Sequence, residues 1–123
     1  MNRGIRGATT VENDSEQEIV SAAEALIREI ADINNLQPEM VVNVFISMTT
    51  DLKAAFPAKA LRKLKGWDMV PVMCMQEIDV HGSLPKCIRI MLTAETELKQ
   101  DEIKHIYQNK AVCLRPDLAA KKQ

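Results

Sequence analysis

Between residues 19 and 33 the apolar positions recur at Ile19, Ala22, Ala23, Leu26, Ile30 and Ile33, while Glu24, Arg28, Glu29 and Asp32 fall elsewhere. This three-four spacing predicts an amphipathic helix. Asn13, Asp14 and Ser15 precede it, Ser15 and Glu18 have the spacing of a capping box, and Asn34 and Asn35 end it. Upstream, RGIRGATTV at 3–11 predicts a strand. Downstream, Pro38 opens a short turn, and VVNVFISM at 41–48 is β-branched, apolar and short, which predicts a second strand. Phe56-Pro57 leads into AKALRKL, a small helix with proline in its first turn and Gly66 at its end. The continuous apolar run VPVMCMQ at 70–76 predicts a buried strand. Gly82, Ser83 and Pro85 supply turn chemistry before a strand at 87–95, CIRIMLTAE. Asp101 to Asn109 reads as a short helix and AVCL at 111–114 as a last strand. Pro116 then blocks further regular structure in a polar tail from about 115. The resulting order, β-α-β-α-β-β-α-β, predicts an α+β fold, a mixed sheet with helices packed on one face.

The 123 residues suit a single domain spanning 1–123, with a flexible C-terminal tail. With 46% hydrophobic but only 3% aromatic residues, its core must be aliphatic and methionine-rich. So few rings do not furnish a base-stacking platform. A net charge of −1, from 16 basic and 17 acidic residues, provides no field to attract a polyanion or an anionic membrane. Neither a signal-peptide pattern nor an uncharged run of ~20 residues is present, so a cytoplasmic protein is expected. Cys74, Cys87 and Cys113 show no CxxC spacing and read as small buried hydrophobes. His81 and His105 lie far apart without a neighbouring ligand pattern, so neither a metal nor another cofactor is expected.

Charges inside apolar strands are the informative departures. By alternation Arg89, between Ile88 and Ile90, shares a face with Cys87, Met91 and Thr93. Arg6 sits beside Ile5, and Glu77 closes the apolar run at 70–76. A structural ion pair between Glu77 and an arginine, or exposure at a strand edge, accounts for these charges. So does a pocket for a small anion. Arg6, Arg62, Arg89 and Arg115 outnumber Glu77, and the planar fork of arginine matches a carboxylate. The pocket candidates include no histidine, nucleophile elbow or glycine-rich phosphate loop. Cys74 could be a nucleophile, but without a general base nearby in sequence it reads better as a packing residue.

The strings RGIRGATTVE at 3–12, FPAKALRKLKGW at 56–67, VPVMCMQEIDVHGSLPKCIRIM at 70–91 and HIYQNKAVCLRPDL at 105–118 closely resemble the monofunctional chorismate mutases of the Bacillus type. The resemblance covers nearly the whole chain, although residues 16–48 match mainly in pattern. It implies a homotrimer around a barrel-like core, with active sites between subunits. The reaction implied is the Claisen rearrangement of chorismate to prephenate, on the route to phenylalanine and tyrosine, without a cofactor. By this resemblance the catalytic residues are Arg89, Glu77 and Arg6. Arg89 donates to the ether oxygen and the side-chain carboxylate, Arg6 and Tyr107 bind that carboxylate, and Glu77 accepts from the ring hydroxyl. Met75 and Gln76 adjoin the substrate, and Leu114 closes an apolar wall. Phe56, Ala58, Lys59, Val72, Met73 and Cys74 come from the adjacent chain, the Cys74 backbone lying near the ring hydroxyl. Arg62 and the Arg115 tail are mobile electrostatic elements at the mouth, with Lys121 and Lys122 as further capture groups. Met73 stands where the family commonly has threonine, and Ile78 and His81 also depart from the commonest form. The trimeric architecture is similar to that of reactive-imine deaminases, and a non-catalytic trimer binding an anionic metabolite is a third reading.

Overall fold

A computed structural model of the chain describes residues 1–120. Helix α1 spans Glu16–Ile33, and Ser15 Oγ accepts the Glu18 N–H at 3.1 Å. The reciprocal half of the expected capping box is absent. Glu18 instead accepts from the backbone N–H groups of Glu12 and Asn13 and from the Asn13 amide, because the chain folds back before the helix. The buried stripe is Ile19, Val20, Ala23, Leu26, Ile27, Ile30 and Ala31. Ile33, expected on that stripe, is 40% exposed in the last turn.

The five strands are β1 (Asn2–Thr10), β2 (Val41–Met48), β3 (Val72–Gln76), β4 (Cys87–Glu95) and β5 (Ile106–Tyr107). They form one sheet in the order β3-β2-β4-β1-β5. β4 runs antiparallel to both β1 and β2, whereas β3 and β5 lie parallel to β2 and β1 at the two edges. The alternating residues Ile5, Val44, Ile46, Ile88, Leu92 and Ala94 are buried in the same core as the α1 stripe. Gly7 lets the helix approach: a Cβ there would sit 2.7 Å from Ile30 Cδ1 and 3.2 Å from Leu26 Cδ1. The opposite face carries Arg6, Phe45, Met73, Met75, Arg89 and Met91.

β3 is not the buried strand its apolar run suggests. It has a single neighbour, β2, and Met73 and Met75 remain 60% and 45% exposed. The residues after Pro57 form a 3₁₀ segment, Pro57–Lys63, and Gly66 adopts φ +87° in the turn that follows it. Near the C-terminus the expected helix at 101–109 is replaced by a 3₁₀ turn at Gln100–Glu102 and by β5. Tertiary bonds override the local preference. Asn34 Nδ2 donates to the Lys104 carbonyl, its Oδ1 accepts the Lys104 N–H, and the Arg6 N–H donates to His105 Nδ1. The expected strand at 111–114 lies within a 3₁₀ segment, Asn109–Leu114, whose start is held to the end of β1 by Thr9 and Thr10. Pro116 does not stop regular structure but begins a short helix α2, Pro116–Ala120, at a position where a missing N–H costs nothing. Of the cysteines only Cys87 is buried, Cys74 being half-buried and Cys113 exposed. Among the described residues no helix is long and apolar enough to cross a membrane. Lys121 and Lys122 lie outside the described residues.

Candidate active site

Arg89 is flanked across the ladder by two small residues, Ala8 on β1 and Ser47 on β2. These neighbours leave its guanidinium standing over a shallow floor instead of packed among long side chains. Arg6 projects from the same face of β1, and Tyr107, on β5 beside Ala8, adds a phenol whose ring is buried. Glu77 follows β3 immediately, its N–H bonded to the Met48 carbonyl at 2.9 Å. Together with Arg115 these residues line a cleft of about 520 Å³.

The ion pair expected from the sequence is present, for Arg89 Nη1 donates to Glu77 Oε1 at 3.4 Å. Ser47 Oγ donates to the other carboxylate oxygen, Oε2, at 2.5 Å. With side chains 45% and 28% exposed, Arg89 and Glu77 escape most of the penalty of a buried pair. Exposure at a strand edge does not explain the arginines, because Arg89 and Arg6 lie on the interior strands β4 and β1. The ion-pair and pocket readings hold together, the charges being solvated on the open sheet face and converging on a concavity. Arg115 is engaged locally, its Nε and Nη2 donating to Asp117 at 3.2 and 3.1 Å, and this pairing raises the guanidinium's pKa while lowering that of the Asp117 carboxyl. Three arginines face one carboxylate across the cleft, so an anion entering it is favoured. Beneath Arg89, burial raises the Cys87 thiol to about 11, against smaller opposing effects of the arginine.

A second concavity of about 540 Å³ gathers Phe56, Ala58, Lys59, Arg62, Val72, Met73 and Cys74. Phe56 is 70% exposed, and the buried Pro57 beside it anchors the segment. Lys59 Nζ contacts Glu16 Oε2 at 2.8 Å, and that hydrogen bond lowers the pKa of the Glu16 carboxyl. The two concavities meet β3 at different ends: Met75 and Gln76 border the first, Val72 to Cys74 the second. Leu114 lines neither, packing instead beside Ala8, Cys87, Tyr107 and Ala111.

The sequence-derived set is thus split between two surfaces of one chain, with Leu114 behind the first. Phe45, Ser47, Ile78 and Met91 also line the first cleft and are not among the site residues expected from the sequence. Alternation along 41–48 carried a usable signal for Ser47, a polar residue two positions from Phe45 on the face that the helix leaves open.

The profile of chorismate mutase type I matches residues 2–118. Chorismate mutase AroH of Bacillus subtilis (strain 168) is 55% identical over 122 residues, covering 99% of this chain and 96% of that protein. AroH of Thermus thermophilus is 42% identical over 119 residues, covering 96% and 97%. Among solved structures, a chorismate mutase from Clostridium thermocellum superposes with a TM-score of 0.87 at 44% identity, over 89% of this chain and 97% of that one.

Proposed function

Since the chain belongs to the type I chorismate mutases, and so is an isomerase that converts chorismate into prephenate, we propose that it works as a homotrimer with each active site shared between neighbouring subunits. The observation that carries this reading is the division of the site residues between two concavities that meet β3 at different ends. One chain supplies Arg6, Glu77, Arg89, Tyr107 and Arg115, and the next supplies Phe56, Ala58, Lys59, Arg62 and the start of β3. The exposed Phe45, Met73, Met75 and Met91 on the open sheet face support burial against a second copy. Family membership sets aside the imine-deaminase and passive-binding alternatives.

The rearrangement is unimolecular and needs neither a nucleophile nor a proton transfer. Its demands are shape and charge. The enolpyruvyl side chain must fold over the ring, and holding that conformer is an orientation effect that can remove several kcal/mol from a barrier. As the ether C–O bond lengthens, negative charge grows on oxygen, and a cation fixed there favours the transition state over the ground state. Arg89 has that role. Arg6 and Tyr107 hold the side-chain carboxylate, Glu77 accepts the ring hydroxyl proton in a hydrogen bond, and Arg62 and Arg115 attract the dianion at the mouth.

The test uses Arg89→Ala and Phe56→Asp, which damage opposite halves of the site. Each homotrimer is expected to be inactive, the second because a carboxylate faces a dianion. Exchanging their subunits creates sites with both halves intact, so activity should return. Native mass spectrometry verifies the mixing, and inactive mixed trimers would refute the shared site.

A further inference from the structure

We propose that Ser47 is a positioning residue for the rearrangement, its hydroxyl orienting the Glu77 carboxylate and, through it, the Arg89 guanidinium. The inference rests on the roles assigned above to Glu77 and Arg89, and it adds the group that sets their geometry. Ser47 is the ladder partner of Arg89 on one side and of Met75 on the other. It therefore stands between the strand that carries the cation and the strand that leads to the carboxylate.

The two oxygens of Glu77 are employed differently. Oε2 receives the Ser47 hydroxyl at 2.5 Å, at the short end of charge-assisted O–H···O⁻ bonds, while Oε1 is 3.4 Å from Arg89 Nη1. An ionised carboxylate only accepts, so the serine is the donor. Ser47 is a stiff anchor, with one side-chain torsion on an interior strand. Glu77 lies past the end of β3 and has three side-chain torsions of its own. Without the hydroxyl, the carboxylate can turn both oxygens onto Arg89 in the two-bond fork that arginine favours. That fork consumes N–H groups needed by substrate and draws the guanidinium aside. Ser47 holds the pair open, with one long contact to Arg89, so that the remaining donors face the cleft.

Ser47→Ala, Ser47→Cys and Ser47→Thr are assayed on chorismate in the native oligomer, and Ser47→Ala also in a Glu77→Ala background. Because a misaligned donor costs transition-state more than ground-state binding, alanine should lower kcat about tenfold and change KM less than about threefold. Cysteine, similar in size but a weak donor, should behave like alanine, and threonine should stay within about threefold of wild type. In the Glu77→Ala background the serine substitution should have no further effect. Wild-type kcat in Ser47→Ala or Ser47→Cys, or full additivity with Glu77→Ala, overturns the assignment. An impaired Glu77→Ala beside an unimpaired Ser47→Ala refutes the role of Ser47 alone. Unaltered kcat in Glu77→Ala refutes the assigned role of Glu77 and this proposal with it.

Discussion

At the scale of single residues, Arg89 owes its reach to the smallness of Ala8 and Ser47 on either side. Arg89→Ala is expected to lower kcat by at least ~10²-fold, as for loss of one preorganised donor to developing charge. Lysine should restore only part, since a point charge cannot serve an ether oxygen and a carboxylate with one rigid fork. Steady-state kinetics on the folded variants checks both, and near-normal turnover in the alanine variant would show the central cation to be misplaced. A second prediction concerns the thiol beneath it. Cys87 is 2% exposed with its pKa raised to about 11, so at pH 7 only on the order of one thiol in ten thousand is ionised. Alkylation followed by peptide mass spectrometry should modify the exposed Cys113 in the native protein and Cys87 only after unfolding. Equal labelling of the two at neutral pH would contradict this burial. Alternation alone placed Arg89 on the face of Cys87 and Met91, but nothing local distinguished the buried cysteine from the exposed one. Exposure depends on what the rest of the chain lays over each position.

At the scale of elements, contact between α1 and the sheet depends on the missing side chain at Gly7. Gly7→Ala brings a methyl against Ile30 and Leu26, both fully buried, and overpacking of this kind costs about 1–3 kcal/mol. Chemical denaturation should show a lower midpoint with an unchanged slope, and an unmoved midpoint would mean that the helix gives way freely. A further expectation concerns the segment carrying Arg115. Ending the chain at Leu114 should raise KM more than it lowers kcat, because in the site proposed above that segment attracts substrate without touching the breaking bond. A hundredfold loss of kcat at saturation would put it in the catalytic shell. The elements legible in the sequence are the longer ones: α1 appears where three-four spacing put it, and β1, β2 and β4 within a residue of where their strand-like runs and flanking turn residues put them. β5 has two residues and no period to read. Its conformation is imposed from 70 residues away by the Asn34 amide, which holds both backbone groups of Lys104. The edge position of β3 was equally hidden, since an apolar run does not record how many strands will neighbour it.

For the whole molecule, β2 and β4 are the telling strands. Both bury one apolar face in the core shared with α1, and on the other they set the exposed Phe45 and Met91 among Asn43, Ser47 and Arg89. Large apolar side chains left exposed together on a sheet face mark a contact surface. The second sheet face, with Phe45 and Met91 exposed in the isolated chain, fits the subunit contact proposed above. Charges inside strands marked candidate residues, whereas their division between two chains was an expectation of the family resemblance and not of the residue pattern. A list of charges in strands cannot reveal that Arg89 and Phe56 lie in separate concavities of one chain.

Because β3 borders both concavities, it has a bearing on heredity. In the shared-site trimer proposed above, a chain whose β3 is broken, yet still assembles, spoils the site it shares with each neighbour. In a cell expressing intact and defective alleles equally, random assembly leaves roughly a quarter of the sites with two sound halves, against half for self-contained subunits. Such an allele interferes with its healthy counterpart. Co-expression at measured ratios should give activity that falls as the square of the intact fraction, and a straight-line decline would mean that each chain works alone.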